Sequence, residues 1–300
     1  MAAITSGAHP KALWPGVKAW FGRDYKRIEP TWSTIFETDT SDKAYEEDVE
    51  LTGFGLIPVK AEGEAIRYDS ETQGYVKRYT NVTYGMGYIV TQEEQDDGQY
   101  TVVSKRRASA LAFSAAATKE TIHALILDRA FSNSYVGGDG KEMIATDHPT
   151  RSGTQSNELA TAADLSEAAL EDLCILIMNM QNSRGLRIQV KPKRLIVATQ
   201  NHFVARKIIE TDQAVGTANN DRNIVGGMFR NGLTTWQYLD DQDAWFVQTD
   251  APRGLMHFKR KDDVFDQDND FDTSNAKAKL VGRWSAGWTD WRGIAGCPGA

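Results

Sequence analysis

The stretch SKRRASALAFSAAATKETIHALILDRAF, residues 104–131, is the most strongly helical part of the chain. Alanine dominates it and neither Gly nor Pro interrupts it, so the composition favours a helix. Apolar residues such as Leu111, Ile122 and Leu125 recur at mostly three- or four-residue spacing, which is typical of one buried helix face. At a rise of about 1.5 Å per residue, this helix would be about 40 Å long. A helix of this length can serve as the backbone of a whole domain.

The segment before this helix is predicted to form strands. Residues 45–90 contain short runs of β-branched and aromatic residues, separated by turn sequences such as Glu62-Gly63 and Gln73-Gly74. The middle part, residues 60–79, is unusually polar for a hairpin that packs on its own core. A long hairpin with little apolar surface either projects into solvent or lies on another chain.

The first fifty residues are rich in Pro, Gly, aromatic and charged residues, and we find no sustained helical period in them. Trp20, Phe21, Tyr25 and Trp32 form a series of apolar anchors between basic residues. A free tail has no use for so many aromatic side chains. We therefore predict an arm that lies across its own domain or across a neighbouring subunit.

The second half of the chain mixes helices and strands. Asp164 and Glu167 have capping-box spacing at the start of a predicted helix, and Gly185 is placed to end it. Further predicted elements are a buried strand at 194–199, a short helix at 201–210, a hairpin at 235–250 with its turn at 240–243, and strands within 255–292. Because there is no regular βαβ alternation, the fold class is α+β.

The segment 137–159 contains the residues that most resemble a chemical site. Asp139, Asp147 and His148 lie among glycines and small polar residues. Pro149 makes the chain at His148 extended, and no second histidine lies at a helical spacing from it. We interpret the segment as a surface loop. The competing hypothesis is a soluble α+β hydrolase or metal enzyme built around these three residues.

An acidic run at 263–272 resembles the start of a calcium loop. A calcium loop that begins at Asp266 requires Gly at its sixth position and Glu at its twelfth, where this chain has Phe271 and Lys277. We interpret the run as an acidic surface strand or turn, with a structural divalent cation as the alternative. The chain also lacks the GxSxG, GxxxxGK[ST] and HExxH motifs. We predict no catalytic residue, no cofactor and no metal ligand.

The composition narrows the class of protein further. The 300 residues carry a net charge of −7, which argues against a dedicated duplex-DNA binder. The basic clusters at 105–107 and 191–194 are interpreted as solvated faces or inter-subunit pairs, with nucleic-acid contact as the alternative. Cys174 and Cys297 form no metal or redox motif and suit a reducing cytoplasm. No apolar run has the length of about 18 residues that a membrane span needs.

The order of these elements resembles that of the major capsid proteins of tailed bacteriophages, which have the Hong Kong 97 fold. It is most similar to the head subunits of Mu-like phages. Residues 139–149, DGKEMIATDHP, look like the family's loop in which D-H-P follows a short apolar strand. Residues 156–209 look like its helix, strand and helix, and residues 243–261 and 282–296 resemble its closing strands. The likeness covers approximately residues 42–296.

The resemblance implies a division of the chain into the parts of that fold. These are an N-arm (1–48), an extended loop or E-loop with its base strands (49–91), a spine helix with the peripheral domain (92–160), an axial domain (161–254), and return strands of the peripheral domain (255–300). The residues expected to contact other subunits are Trp20, Phe21, Tyr25, Trp32, Arg67, Tyr68, Lys77 and Arg78.

The implied function is structural and non-enzymatic. The chain would self-assemble into hexamers and pentamers of an icosahedral virion shell that encloses double-stranded DNA and contacts it non-specifically. Its other implied partners are a scaffolding protein, a portal and a decoration or cement protein, with assembly in the bacterial cytoplasm and no membrane. Because the arm starts almost at once, the scaffold would be a separate protein or the chain already trimmed. The alternative within the same fold is an encapsulin-like shell of a cellular compartment.

Overall fold

The computed structural model describes residues 14–96, 100–211, 223–270 and 275–300. The helices are α1 (Trp14–Arg27), α2 (Trp32–Ile35), α3 (Gln92–Asp96), α4 (Tyr100–Asp128), α5 (Glu167–Met178) and α6 (His202–Glu210). The strands are β1 (Glu37–Thr40), β2 (Tyr45–Leu51), β3 (Gln73–Thr80), β4 (Val82–Val90), β5 (His148–Thr150), β6 (Gly153–Gln155), β7 (Pro192–Val197), β8 (Leu233–Thr235), β9 (Trp245–Thr249), β10 (Leu255–Asn269), β11 (Ala276–Trp288) and β12 (Ile294–Cys297). Short 3-10 helices occupy Val225–Met228 and Trp291–Gly293.

The predicted spine helix is α4, which has 29 residues. It packs against a four-stranded sheet with the strand order β1-β10-β11-β4. Leu111 of α4, Phe265 of β10 and Leu280 of β11 share one buried cluster between helix and sheet. In this sheet β10 and β11 form a long antiparallel pair, β4 is antiparallel to β11, and β1 is parallel to β10.

The second four-stranded sheet has the order β12-β9-β7-β8. All five residues of β9 are buried, and α5 and α6 pack on this sheet around the largest apolar core of the described chain. The predicted hairpin at 235–250 is wrong because β7 lies between β8 and β9. Strand β8 pairs in parallel with β7, and β9 pairs antiparallel with its other edge.

A helix stands where the sequence predicted none. Helix α1 contains Pro15 and Gly16, which weaken the helical pattern, yet its buried Phe21 stacks on Phe265 with ring centroids 4.7 Å apart. Contacts of α1 with α4 and β10 supply the stabilisation that local propensity lacks. The tertiary contacts of α1 therefore outweigh the low helix propensity of its sequence.

The predicted bounds of the helix that follows the segment 137–159 also need correction. Helix α5 starts after Ser166, whose hydroxyl accepts a hydrogen bond from the Ala169 N–H at 3.2 Å. Asp164 instead accepts a hydrogen bond from the N–H of Ala300. The helix ends at Met178, and Gly185, with a φ of +81°, shapes a later turn.

Strands β2 and β3 form the base of the predicted E-loop and pair antiparallel. Residues 52–72 between them contain no strand, and nearly all of them are exposed. The loop therefore leaves the body of the chain as an extended projection. Among the described residues, no helix combines the length and apolarity that crossing a membrane requires.

Candidate subunit interface

The tip of the E-loop exposes large apolar side chains. Leu56, Ile57 and Val59 are 82%, 95% and 99% exposed. Phe54, Ile66 and Tyr68 beside them are also more than half exposed. Soluble monomers rarely present so many contiguous apolar groups to water, and such patches mark sites of association. We call residues 54–68 the apolar tip.

The apolar part of this tip, FGLIPV at residues 54–59, was not predicted from the sequence. The neighbouring residues 60–79 are unusually polar and led to the prediction of a hairpin with little apolar surface. The available signal was an apolar run in a segment of turns, between Gly53 and Gly63, which both have positive φ angles in the structure.

The stem of the apolar tip is held in place by Asp69. Its Oδ2 accepts hydrogen bonds from the Gly55 N–H at 2.9 Å and from Arg184 Nη1 at 2.8 Å. The bond from Gly55 ties the two arms of the loop together, and the bond from Arg184 ties the loop to the body. The Gly55 and Ser70 N–H groups, with Arg184, lower the pKa of Asp69 to about 2.

Two carboxylates of β2 anchor the base of the loop. Asp48 accepts a hydrogen bond from the Thr289 hydroxyl at 2.9 Å and forms an ion pair with Arg253. Glu50, two residues further on, accepts a hydrogen bond from the Ser183 hydroxyl and lies 3.8 Å from Arg292 Nη1. These contacts fix the base of the E-loop to the body of the chain at Ser183, at Arg253 and at the segment that follows β11.

The predicted contact residues of the N-terminal segment pack on their own chain. The Tyr25 hydroxyl donates to Asp263 Oδ2 at 2.6 Å, and Lys119 Nζ lies 2.7 Å from the same carboxylate oxygen. Trp32 stacks on His123 with ring centroids 4.4 Å apart. Together with the Phe21 stack, these contacts place the arm across its own domain. The side chain of Trp20 lies outside the described part of the chain.

Glu120 joins the arm to both halves of the molecule. It is a buried residue of α4, and its Oε1 accepts hydrogen bonds from the Thr31 and Trp32 N–H groups at 2.5 and 3.4 Å. Its Oε2 accepts one from Trp236 Nε1 at 2.6 Å. Burial raises the pKa of Glu120, and the three donors oppose that shift.

The four predicted contact residues of the E-loop have different environments. Arg67 and Tyr68 are exposed in the apolar tip. Lys77 Nζ donates to the Val136 carbonyl at 3.2 Å, and burial lowers its pKa. Arg78 Nη2 lies 2.7 Å from the Glu47 carboxylate on the neighbouring strand. Contact of these residues with another subunit stays a prediction.

The connecting segment 137–159 is not a surface loop at its centre. His148 is fully buried, and its Nδ1 lies 2.7 Å from Asp139 Oδ2. Asp147 points elsewhere and pairs with Lys141 at 2.5 Å. The enzyme hypothesis needs Asp139, Asp147 and His148 together, and the structure separates Asp147 from the other two. Among the described residues, no three His, Cys, Asp or Glu side chains are grouped as metal ligands.

Residues 263–269 of the acidic run lie on β10, as predicted for a surface strand. Two of the described carboxylates pair closely with lysines. Asp263 faces Lys119, and Asp270 lies 2.6 Å from Lys277 Nζ. These two carboxylates are therefore neutralised within the chain. Residues 271–274 lie outside the described part of the chain.

The predicted basic clusters are partly used inside the chain. Arg107 Nη2 lies 2.9 Å from Glu94 Oε1, and Arg194 Nη1 donates to the Thr34 carbonyl at 2.7 Å. Lys105 and Arg106 carry no hydrogen bond or ion pair that joins them to the rest of the described chain, and they stay available to solvent.

The long spine helix, the two sheets and the anchored extended loop define a capsid subunit of the Hong Kong 97 type. The fold is shared with the crystal structure of a virus-like particle from Pyrococcus furiosus (TM-score 0.56, 11% identity, covering 94% of this chain and 98% of that one). It is also shared with the structure of Mycobacterium phage Patience (TM-score 0.55, 12% identity, 98% and 88%) and that of Microbacterium phage Oxtober96 (TM-score 0.53, 8% identity, 90% and 91%). The predicted α+β capsid fold is confirmed.

A family model described as phage capsid protein matches residues 74–296. The match spans more than half of the chain, so this chain belongs to the phage capsid protein family. No curated protein matches the chain in sequence. The family and the fold confirm the prediction of a major capsid protein of the virion shell, with a structural and non-enzymatic role. The virus-like particle shares only the fold at its level of identity, and special closeness to Mu-like phages stays a prediction.

Proposed function

We propose that the chain builds hexamers and pentamers of an icosahedral shell by placing its apolar tip on a neighbouring copy. The observation that carries this proposal is the exposure of Leu56, Ile57 and Val59 on a loop whose stem is anchored. Burial of such side chains contributes about 1.5–3 kcal/mol each. The partner is a second copy of this chain, because in a self-assembling shell each subunit is surrounded by many identical subunits.

The anchoring of the loop determines the kind of contact. Asp69 and the paired strands β2 and β3 hold the apolar tip away from its own body, so it must be buried by another subunit. A tip that binds a different surface on the next copy makes a heterologous contact. Contacts of this kind close into rings when the rotation between copies permits it. We propose that this contact closes into rings of five and six subunits, and that these rings together form the curved shell.

The remaining partners follow from the same proposal. The shell encloses double-stranded DNA, and a net charge of −7 keeps its contacts with phosphate weak and non-specific. A scaffolding protein and a portal guide assembly in the bacterial cytoplasm, and a decoration or cement protein binds outside.

The proposed parts of the subunit remain the N-arm (1–48), the E-loop region (49–91), the spine helix with the peripheral domain (92–160), the axial domain (161–254) and the return strands (255–300). One detail modifies the last part. Strand β12 pairs with β9, so residues 294–297 belong to the sheet β12-β9-β7-β8 of the proposed axial domain and not to the sheet β1-β10-β11-β4.

Electron microscopy of the purified chain, alone and with its scaffolding protein, tests the proposal. The wild type should give rings or closed shells. The variant Leu56→Ser/Ile57→Ser/Val59→Ser should remain a folded subunit with unchanged circular dichroism. The matched control Lys60→Ser/Glu62→Ser/Glu64→Ser changes three exposed polar residues of the same loop and should assemble. Shells of normal yield from the apolar-tip variant would refute the proposed role of the tip.

A further inference from the structure

Both ring nitrogens of His148 face a hydrogen-bond acceptor in the interior of the chain. Nδ1 lies 2.7 Å from Asp139 Oδ2, and Nε2 lies 3.0 Å from Asn157 Oδ1. The imidazole ring also stacks on Trp291, with centroids 4.4 Å apart and planes 3° from parallel. A neutral imidazole has one donor and one acceptor, so the identity of these neighbours determines how many protons it carries.

The orientation of the Asn157 amide is fixed by its other hydrogen bonds. Its Nδ2 donates to the backbone carbonyls of Met143, Trp291 and Ile294 at 2.9, 3.1 and 2.9 Å. Its Oδ1 accepts from the Ala145 N–H at 2.9 Å. The flipped amide would place its oxygen against three carbonyl oxygens. Oδ1 therefore faces His148, and because it has no hydrogen, Nε2 of His148 must donate.

The other ring nitrogen faces a carboxylate. Asp139 Oδ1 already accepts a hydrogen bond from the Lys141 N–H at 3.2 Å. An imidazole is ordinarily a stronger base than an aspartate, so the proton between them rests on Nδ1. The nearby Glu158 carboxylate also favours a cation here. The two neighbouring cations have their own carboxylates: Lys141 pairs with Asp147, and Arg292, which lies 4.2 Å over the Trp291 ring, pairs with Asp290.

Asp139 lies in a tight turn that supports the E-loop. The turn is closed by the Gly137 N–H, which donates to the Lys141 carbonyl at 2.6 Å. The residues 136–138, which we call the shelf, lie directly against β3. A Cβ atom on Gly138 would lie 2.7 Å from the Tyr75 ring, and Lys77 donates to the Val136 carbonyl.

We propose that His148 is a doubly protonated, positively charged imidazole that holds the shelf in place through Asp139 and thereby positions the E-loop. His148 is a positioning residue, because it acts on β3 through Asp139 and the shelf. The functional part of this inference rests on the proposed docking of the E-loop, whereas the protonation state does not.

The protonation state is measured by 15N NMR of the full-length chain with labelled histidine at neutral pH. His148→Gln identifies the signals by their loss. We expect both His148 nitrogens to show the shifts of protonated nitrogens. In Asp139→Asn, which is nearly isosteric, His148 should keep only the Nε2 proton. An unprotonated Nδ1 or Nε2 in the wild type overturns the proposal.

The coupling to the E-loop is measured by hydrogen exchange of residues 73–80 in unassembled subunits. Loss of a charged hydrogen bond should speed exchange at these amides by about tenfold or more in Asp139→Asn and in His148→Gln. The control His202→Gln removes a histidine bonded to the Thr235 hydroxyl at 2.6 Å and should leave this exchange unchanged. Unchanged exchange in both variants overturns the coupling. Neither measurement requires assembly, so failure here is distinct from failure of the apolar-tip experiment.

Discussion

Nε2 of His123 lies 3.0 Å from Nδ1 of His257 in the interior between helix α4 and the sheet β1-β10-β11-β4. His123 Nδ1 donates to the Lys119 carbonyl at 2.6 Å, so its Nε2 accepts the proton of His257 Nδ1. This chain of hydrogen bonds requires the His123 ring to be neutral, and burial disfavours a charge on His257. The arrangement differs from that of His148, whose two ring nitrogens both face acceptors.

The histidine pair should make the subunit acid-sensitive. Burial lowers the pKa of His123 to about 4 and that of His257 to about 3. Unfolded histidines take up protons near pH 6.5, so the unfolded state binds more protons in between. The free energy of unfolding should therefore decrease as pH falls from about 6.5 towards 3. For each histidine, the decrease is on the order of 1.4 kcal/mol per pH unit between its unfolded and its folded pKa.

Thermal melts of unassembled subunits across this pH range measure the effect. His257→Gln removes one titrating group and keeps a donor towards His123, so its melting temperature should depend less steeply on pH. His202→Gln should retain the wild-type slope. An equally steep slope in His257→Gln would show that other groups cause the acid sensitivity.

Glu120→Gln should loosen the N-terminal segment. The Gln side chain replaces one accepting oxygen with an NH2 group, which would face either Trp236 Nε1 or the N–H groups of Thr31 and Trp32. An unsatisfied buried donor costs about 1–3 kcal/mol. Chemical denaturation should show this loss, and proteolysis near residues 28–31 should become faster. Glu64→Gln in the exposed tip is the control, and equal stability of the two variants would contradict the prediction.

Two glycines should respond to alanine in opposite directions. A Cβ on Gly293 would collide with the backbone of Gly254, so Gly293→Ala should destabilise by about 1–3 kcal/mol. Gly22 lies inside α1 with open space around its Cα, so Gly22→Ala should stabilise by about 0.5–1 kcal/mol. Urea titrations of both variants beside the wild type measure the changes. The same sign for both would argue against these backbone contacts.

Both cysteines should resist thiol reagents in the folded subunit. Cys174 and Cys297 are buried, and burial raises the pKa of Cys174 to about 11. The thiolate is the reactive form, so labelling requires unfolding. Time-resolved labelling followed by mass spectrometry should show modification only in denaturant. Rapid labelling of either thiol in the folded chain would disprove this arrangement.

The sequence predicted the elements whose stabilisation is local. Helix α4 follows from an uninterrupted run of alanine, and β7 follows from a compact apolar segment. Helix α1 could not be predicted, because Phe21 is buried by Phe265 from the other end of the chain. Strand β9 falls within the predicted hairpin at 235–250, but its pairing could not be predicted, because its partner β7 precedes both β8 and β9.

The candidate interface was predicted in outline and missed in detail. The extended loop followed from its turns and strands, whereas the apolar tip was hidden by the polar residues around it. The environment of His148 depends on Asn157 and Trp291, and no spacing in the sequence shows that these residues meet. The docking surface on the neighbouring copy belongs to the same sequence, but no sequence pattern shows which part of it receives the tip.

The bond between Gly55 and Asp69 has a consequence for how subunits are recruited. Ordering a flexible residue costs about 1–2 kcal/mol, and a loose loop would meet that cost on every docking event. Here the stem is fixed before a neighbour arrives, so a small buried area is enough to retain the newcomer. Preorganisation of the stem therefore lets a modest contact area hold two subunits together, because little conformational entropy is lost when they dock.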